Sequence, residues 1–288
     1  MGPMPIVDCV YERGQFFLPL ALNGSPPQYF IFDTGAGVSA VDAAVADELS
    51  LPRIAHTELA GTAGVLVVDQ VRIARVQPLC RGRRVPELCW YGLTPTKQDL
   101  SAFTLPVPGQ REAGLLGNDY LQSFIVQLRF SPPLMEISRP TGFPPAGIDP
   151  ECCIPFTLDD ATIVRVEGTL DGWMKVPLRL DTGSATMTID GPYLNVTEAM
   201  WQALRAKRPE YEVHDELVAN GIGGQVTLQV ARITTFDVGP LHFDGPSVVI
   251  QPTVGSFASP DAVGFIALNL FEPGGWLTFD YPNGRLYL

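Results

Sequence analysis

The chain has 288 residues, of which 46% are hydrophobic and 17% charged. That is enough apolar material for one large domain or two ordinary ones, and it excludes a disordered chain. A formal net charge of -12, with Arg81, Arg83 and Arg84 as the densest basic cluster, argues against a nucleic-acid partner.

The opening segment, MGPMPIVDCVYERG, lacks the basic start and apolar run of a signal peptide, and no stretch reaches the roughly 20 apolar residues of a membrane span. A cytoplasmic protein with no membrane span is expected, with export after removal of a leader as the alternative. The 28 glycines and 27 prolines are spread along the chain, which fits short strands and tight turns and predicts a mainly β fold.

The first half then runs through a strand, a turn at Asn23-Gly24 and a second strand that ends in Asp33-Thr34-Gly35-Ala36. VDAAVADEL follows as a short helix. ELAGTAGVLVV reads as a hairpin with a flexible tip at Gly61, Thr62, Ala63 and Gly64. GLLGNDYL, with Gly117, leads into the closing strands. A proline-rich stretch, residues 140–155, reads as a linker between lobes at 1–139 and 156–288.

The second half repeats this order. A strand, a turn at Asp171-Gly172 and a second strand end in Asp181-Thr182-Gly183-Ser184. TEAMWQALRAK reads as a helix capped by Thr197, with Glu198 in its first turn. ELVANGIGGQVTLQV gives a second hairpin, its tip at Gly221, Ile222, Gly223 and Gly224. GFIALNLF places Ala267 where the first half has Gly117. The two aspartates stand 148 residues apart, and the steps from Asp33 to Gly117 and from Asp181 to Ala267 are 84 and 86 residues. Near-equal spacing over that distance predicts a duplicated lobe.

The five cysteines are odd in number, and Cys152 and Cys153 are adjacent, so reduced thiols are expected; Cys80 and Cys89 are the pair that can bridge a loop. His56, His214 and His242 are scattered, so no metal site or cofactor is expected. GAGVSA, residues 35–40, fits the G-x-G-x-x-A form of a dinucleotide-binding turn, but its counterpart GSATMT does not.

Two Asp-Thr-Gly loops, FDTGA at 32–36 and LDTGS at 180–184, with the paired segments LLG at 115–117 and FIA at 265–267, resemble the aspartic peptidases of the retropepsin and pepsin group. The resemblance covers nearly the whole chain. It implies a bilobal acid-protease fold with a cleft between duplicated β lobes, and Asp33 and Asp181 as the catalytic pair. Thr34 and Thr182 would lock the loops together, and Gly35, Ala36, Gly183 and Ser184 would support the pair. The hairpin tips would act as flaps over a peptide or protein substrate. Ala267 departs from the family's usual glycine, and its methyl would shift the second loop slightly. Retropepsins assemble their site from two chains, so the fusion implies a monomer. No long basic segment precedes the first lobe, so no inhibitory pro-region is expected. The alternative reading is an inactive peptide-binding relative of the same fold.

Two carboxylates held together cannot both ionise cheaply, so they share a proton; one can deprotonate a water while the other donates a hydrogen bond.

Overall fold

The computed structural model describes residues 5–103, 110, 112–140, 152–185 and 188–288, and it is mainly β. The main path of the first sheet, in spatial order, is Arg53–Ala60, Val65–Val71, Thr96–Gln98, Ala40–Asp42, Glu112–Leu116, Gln28–Phe32, Gln15–Leu22, Ile73–Cys80 and Trp90–Leu93. The second sheet runs Val213–Gly221, Gly224–Arg232, Ser247–Gln251, Tyr193–Thr197, Gly264–Ile266, Met174–Leu180, Val164–Leu170, Thr235–Val238 and Leu241–Asp244. The two orders match strand for strand. The parallel pairs match as well: 28–32 with 112–116 and 174–180 with 264–266, then 40–42 with 96–98 and 193–197 with 247–251. The duplication read from residue spacing is therefore a duplication of topology.

Local chemistry produces the elements. Asn23 and Gly24 both have positive φ, as do Asp171 and Gly172, the left-handed backbone state that Asn, Asp and Gly tolerate and that turns the chain after strands 15–22 and 164–170. The first helix, Ala43–Glu48, is capped by the Asp42 carboxylate, which accepts from Ala44 N and Val45 N. The second long helix, Glu198–Lys207, is capped by Thr197 Oγ1, which accepts from Met200 N at 3.2 Å. Strand 15–22 is buried on both faces after its first residue. Each apolar side chain it buries contributes about 1.5–3 kcal/mol.

A third sheet joins the halves, in the order Ile6–Val7, Leu134–Ser138, Ile125–Arg129, Trp276–Asp280, Arg285–Tyr287 and Cys153–Pro155. Ile125–Arg129 from the first half pairs along its length with Trp276–Asp280 from the second. This departs from the expected linker at one end: Cys153–Pro155 is a strand of the shared sheet, paired with Arg285–Tyr287. Alternation of buried Ile154 between partly exposed neighbours fits an edge strand, a signal hidden by the surrounding prolines. Residues 141–151 of that linker lie outside the described residues. All five cysteines are free thiols. No helix among the described residues is long and apolar enough to cross a membrane.

Candidate active site

Strands 28–32 and 174–180 each end at an Asp-Thr-Gly loop, and each loop is tied to the parallel neighbour of its strand. Asp33 N donates to Leu116 O at 3.1 Å, and Asp181 N donates to Ile266 O at 2.8 Å. Pairing to an adjacent parallel strand fixes the height at which each aspartate leaves its sheet.

The threonines join the loops. Thr34 Oγ1 donates to Leu180 O at 2.7 Å and accepts from Thr182 N at 3.2 Å. Reciprocally, Thr182 Oγ1 donates to Phe32 O at 2.6 Å and accepts from Thr34 N at 3.0 Å. Both threonines are fully buried. Four hydrogen bonds with near-two-fold symmetry thus hold two segments 148 residues apart in sequence in a single arrangement.

The glycines set how close the carboxylates come. A Cβ at Gly35 would lie 2.4 Å from Asp181 Cγ, and one at Gly183 would lie 2.5 Å from Asp33 Cγ. Any larger residue at either position would occupy the space of the opposite carboxylate. Gly35 N donates to Asp33 Oδ1 at 2.9 Å, and Gly183 N donates to Asp181 Oδ1 at 3.0 Å. The backbone N–H groups of Ala36 and Ser184 lie near the carboxylates and pull them downward, Ala36 N also donating to Asp33 O at 3.4 Å. On this backbone donor the Ala/Ser difference between the loops has no effect.

Asp33 and Asp181 are linked by a side-chain hydrogen bond. Burial pushes both carboxyls up, Asp33 well above the ordinary range, with the neighbouring Asp181 charge adding to it. Asp181 is pushed up to about 6 by burial, against the pull of the Gly183 and Ser184 N–H groups, the bond to Asp33 and the positive charge of Arg179. A buried pair of acids sharing a hydrogen bond holds one proton over a broad range.

Each half also reaches into the loop of the other. Gln15 Nε2 donates to Gly183 O, and Thr162 Oγ1 approaches Gly37 O at 3.4 Å. Asn118, fully buried, donates through Nδ2 to Thr34 O at 2.8 Å and Ala36 O at 3.2 Å, while its Oδ1 accepts from Tyr281 OH at 2.6 Å. The C-terminal part of the chain therefore braces the N-terminal aspartate loop.

Gly117 packs under the first loop, where a Cβ would lie 2.6 Å from Ala36 O. Ala267, the corresponding residue, is also buried, beside the Ile266 carbonyl that receives Asp181 N. The second loop keeps its bonds to Thr34 and to its own amides with this methyl in place. Thr186 and Met187, further along that loop, lie outside the described residues.

The two hairpins meet tip to tip over the aspartates. Ala63 N donates to Ile222 O at 3.0 Å, and a Cβ at Gly221 would lie 2.1 Å from Thr62 Oγ1. Gly64 lies against Gly223, where side chains would keep the tips apart. No residue of strands 53–60 or 213–221 is fully buried, and of the two only strand 213–221 packs side chains, Leu217 and Ala219, against the small cluster of Tyr193, Leu228 and Val249. Elements with few buried contacts open at low cost. Beneath the tips a cavity of about 270 Å³ is lined by Asp33, Asp181, Gly183, Ser184, Thr62 and Gly221, among others.

The dinucleotide-turn alternative fails on local geometry. Residues 35–40 lead into strand 40–42 and not into a helix, so no helix N-terminus faces the glycines.

Sequence reading singled out the loops and tips but missed Gln15, Asn118 and Glu112. Asn118 had a signal: it is an uncharged polar residue directly after the LLG segment, where the second half has Leu268 after FIA. No protein-family model matches the chain, and no curated protein matches it.

Proposed function

We propose that the protein is an aspartic endopeptidase that hydrolyses extended peptides in the cavity between the two lobes, as a pepsin/retropepsin-like enzyme complete in one chain. The observation that carries this reading is the buried, hydrogen-bonded pair of Asp33 and Asp181, held by reciprocal threonine bonds. In the singly protonated pair, the ionised carboxylate takes a proton from a water, whose oxygen attacks the scissile carbonyl. The protonated partner donates its hydrogen bond to the carbonyl oxygen and stabilises the tetrahedral adduct. Collapse of the adduct breaks the C–N bond, and the leaving nitrogen takes up the proton. An extended peptide offers backbone groups to both hairpin tips once these separate, and it fills the cavity with side chains.

The test is digestion of a diverse peptide mixture read by mass spectrometry, with wild type, Asp33→Asn and Asp181→Asn. Wild type should cleave at mildly acidic pH and both variants should lose at least about 10³-fold in kcat/KM with folding intact. Near-wild-type turnover by either variant overturns the assignment. Peptide binding by wild type without cleavage would favour an inactive peptide-binding relative.

A further inference from the structure

One carboxylate in the cavity has no part in the proposed hydrolysis. Glu112 begins strand 112–116, the strand that runs parallel to 28–32 and whose Leu116 O accepts from Asp33 N. Its side chain lines the same cavity as Asp33 and Asp181, the residue is only 5% exposed, and Oε1 has no hydrogen-bond partner. The described residues lining that cavity include three carboxylates and no lysine or arginine. The nearby Asp42 adds negative charge while its own oxygens are engaged by Ala44 N, Val45 N and Leu100 N. Gln98, paired with Asp42 in the ladder, also keeps a buried Oε1 without a partner. The other lobe offers no such charge: there the cavity is lined by Asn195 and Gln251, joined by a 2.8 Å hydrogen bond.

We propose that Glu112 is a specificity-determining residue, the acceptor for a lysine or arginine side chain of the bound peptide; this rests on the reading of the cavity as a peptide site. A buried acceptor with no partner carries a desolvation cost that a matching donor removes. A cation does this best, because an ionised pair inside a low-dielectric cavity makes short, charge-assisted bonds. Without a lysine or arginine among the described lining residues, the counter-charge has to arrive with the ligand. Burial and the Asp42 charge push the Glu112 carboxyl up to about 8, as expected for an acid waiting without a cation. A site built to pair a polar group also rejects the apolar isostere, which would leave that group unpaired.

The experiment uses wild-type protein and statine-centred hexapeptides, which are not cleaved, with lysine, norleucine or glutamine placed at each position in turn. Affinities are measured calorimetrically at pH 7.5. At one position lysine should bind at least about tenfold more tightly than norleucine or glutamine, and in Glu112→Gln that ratio should fall to near one. If peptides bind but no position prefers lysine, the proposal is overturned while the peptide site stands. It is overturned in the same way if glutamine matches lysine, or if the preference survives in Glu112→Gln. If no peptide binds at all, the peptide-site reading fails and the proposal falls with it.

Discussion

Replacing Thr182 with valine keeps the shape of the side chain and deletes one hydroxyl. That hydroxyl donates to Phe32 O at 2.6 Å and accepts from Thr34 N at 3.0 Å, and Phe32 and Thr34 are both fully buried. The substitution takes a partner from two buried backbone groups at once. A group left unsatisfied costs about 1–3 kcal/mol, so Thr182→Val should destabilise the protein by about 3 kcal/mol. Thr182→Ser retains the hydroxyl and loses only a methyl, at a cost of about 1 kcal/mol. Urea unfolding at fixed pH measures both, with an unchanged slope as the check that the transition remains cooperative. A valine variant within about 0.5 kcal/mol of wild type, or equal to the serine variant, would refute the claim that the threonine bonds hold the loops together.

Gly183→Ala places a Cβ where Asp33 Cγ would lie 2.5 Å away, so one loop must retreat; kcat/KM on a cleaved peptide should fall at least about 10²-fold, and calorimetric scanning should show a loss of about 1–3 kcal/mol. Glu112→Gln should flatten part of the dependence of stability on pH. The raised carboxyl keeps its proton longer in the folded state, so its contribution is full below the ordinary value of 4.5 and is lost as pH rises towards about 8. That interval corresponds to at most about 5 kcal/mol, read as the difference between wild-type and variant urea midpoints across the range. Asn118→Leu copies the residue of the second half and removes the bonds to Thr34 O, Ala36 O and Tyr281 OH, so unfolding should show a loss of at least about 2 kcal/mol.

Much of this fold could be read from the chain because its signals are local and occur twice. Asn23-Gly24 and Asp171-Gly172 mark hairpins by their tolerance of positive φ, and Thr197 marks a helix start by its hydroxyl. Equal spacing then placed Asp33 and Asp181 at equivalent strand ends. The shared sheet was not legible in this way, since Ile125–Arg129 pairs with Trp276–Asp280 across about 150 residues and nothing local specifies the partner. Cys153–Pro155 looked like linker because proline and glycine dominate its surroundings. Gln15 and Asn118 escaped for another reason. Each acts by bonding to a backbone carbonyl of a distant loop, and a side-chain amide carries no mark of where its partner lies.

The duplication that makes the pair legible does not make its members equivalent. Asp33 is buried at 7% exposure, and its loop is braced by Asn118 and Tyr281 from beneath. Asp181 is more open, and Arg179 on its own strand lends it positive charge. Both carboxyls are raised by burial and the proton belongs to the pair; Arg179 pulls Asp181 downward, while its guanidinium is itself paired with Asp159 at 2.8 Å. Leu268 stands where Asn118 would be, so the two loops are braced by different amides, Asn118 at the first and Gln15 at the second. The asymmetry comes from residues outside the Asp-Thr-Gly loops, Arg179 and Asn118, and it survives the near-two-fold symmetry of the threonine bonds.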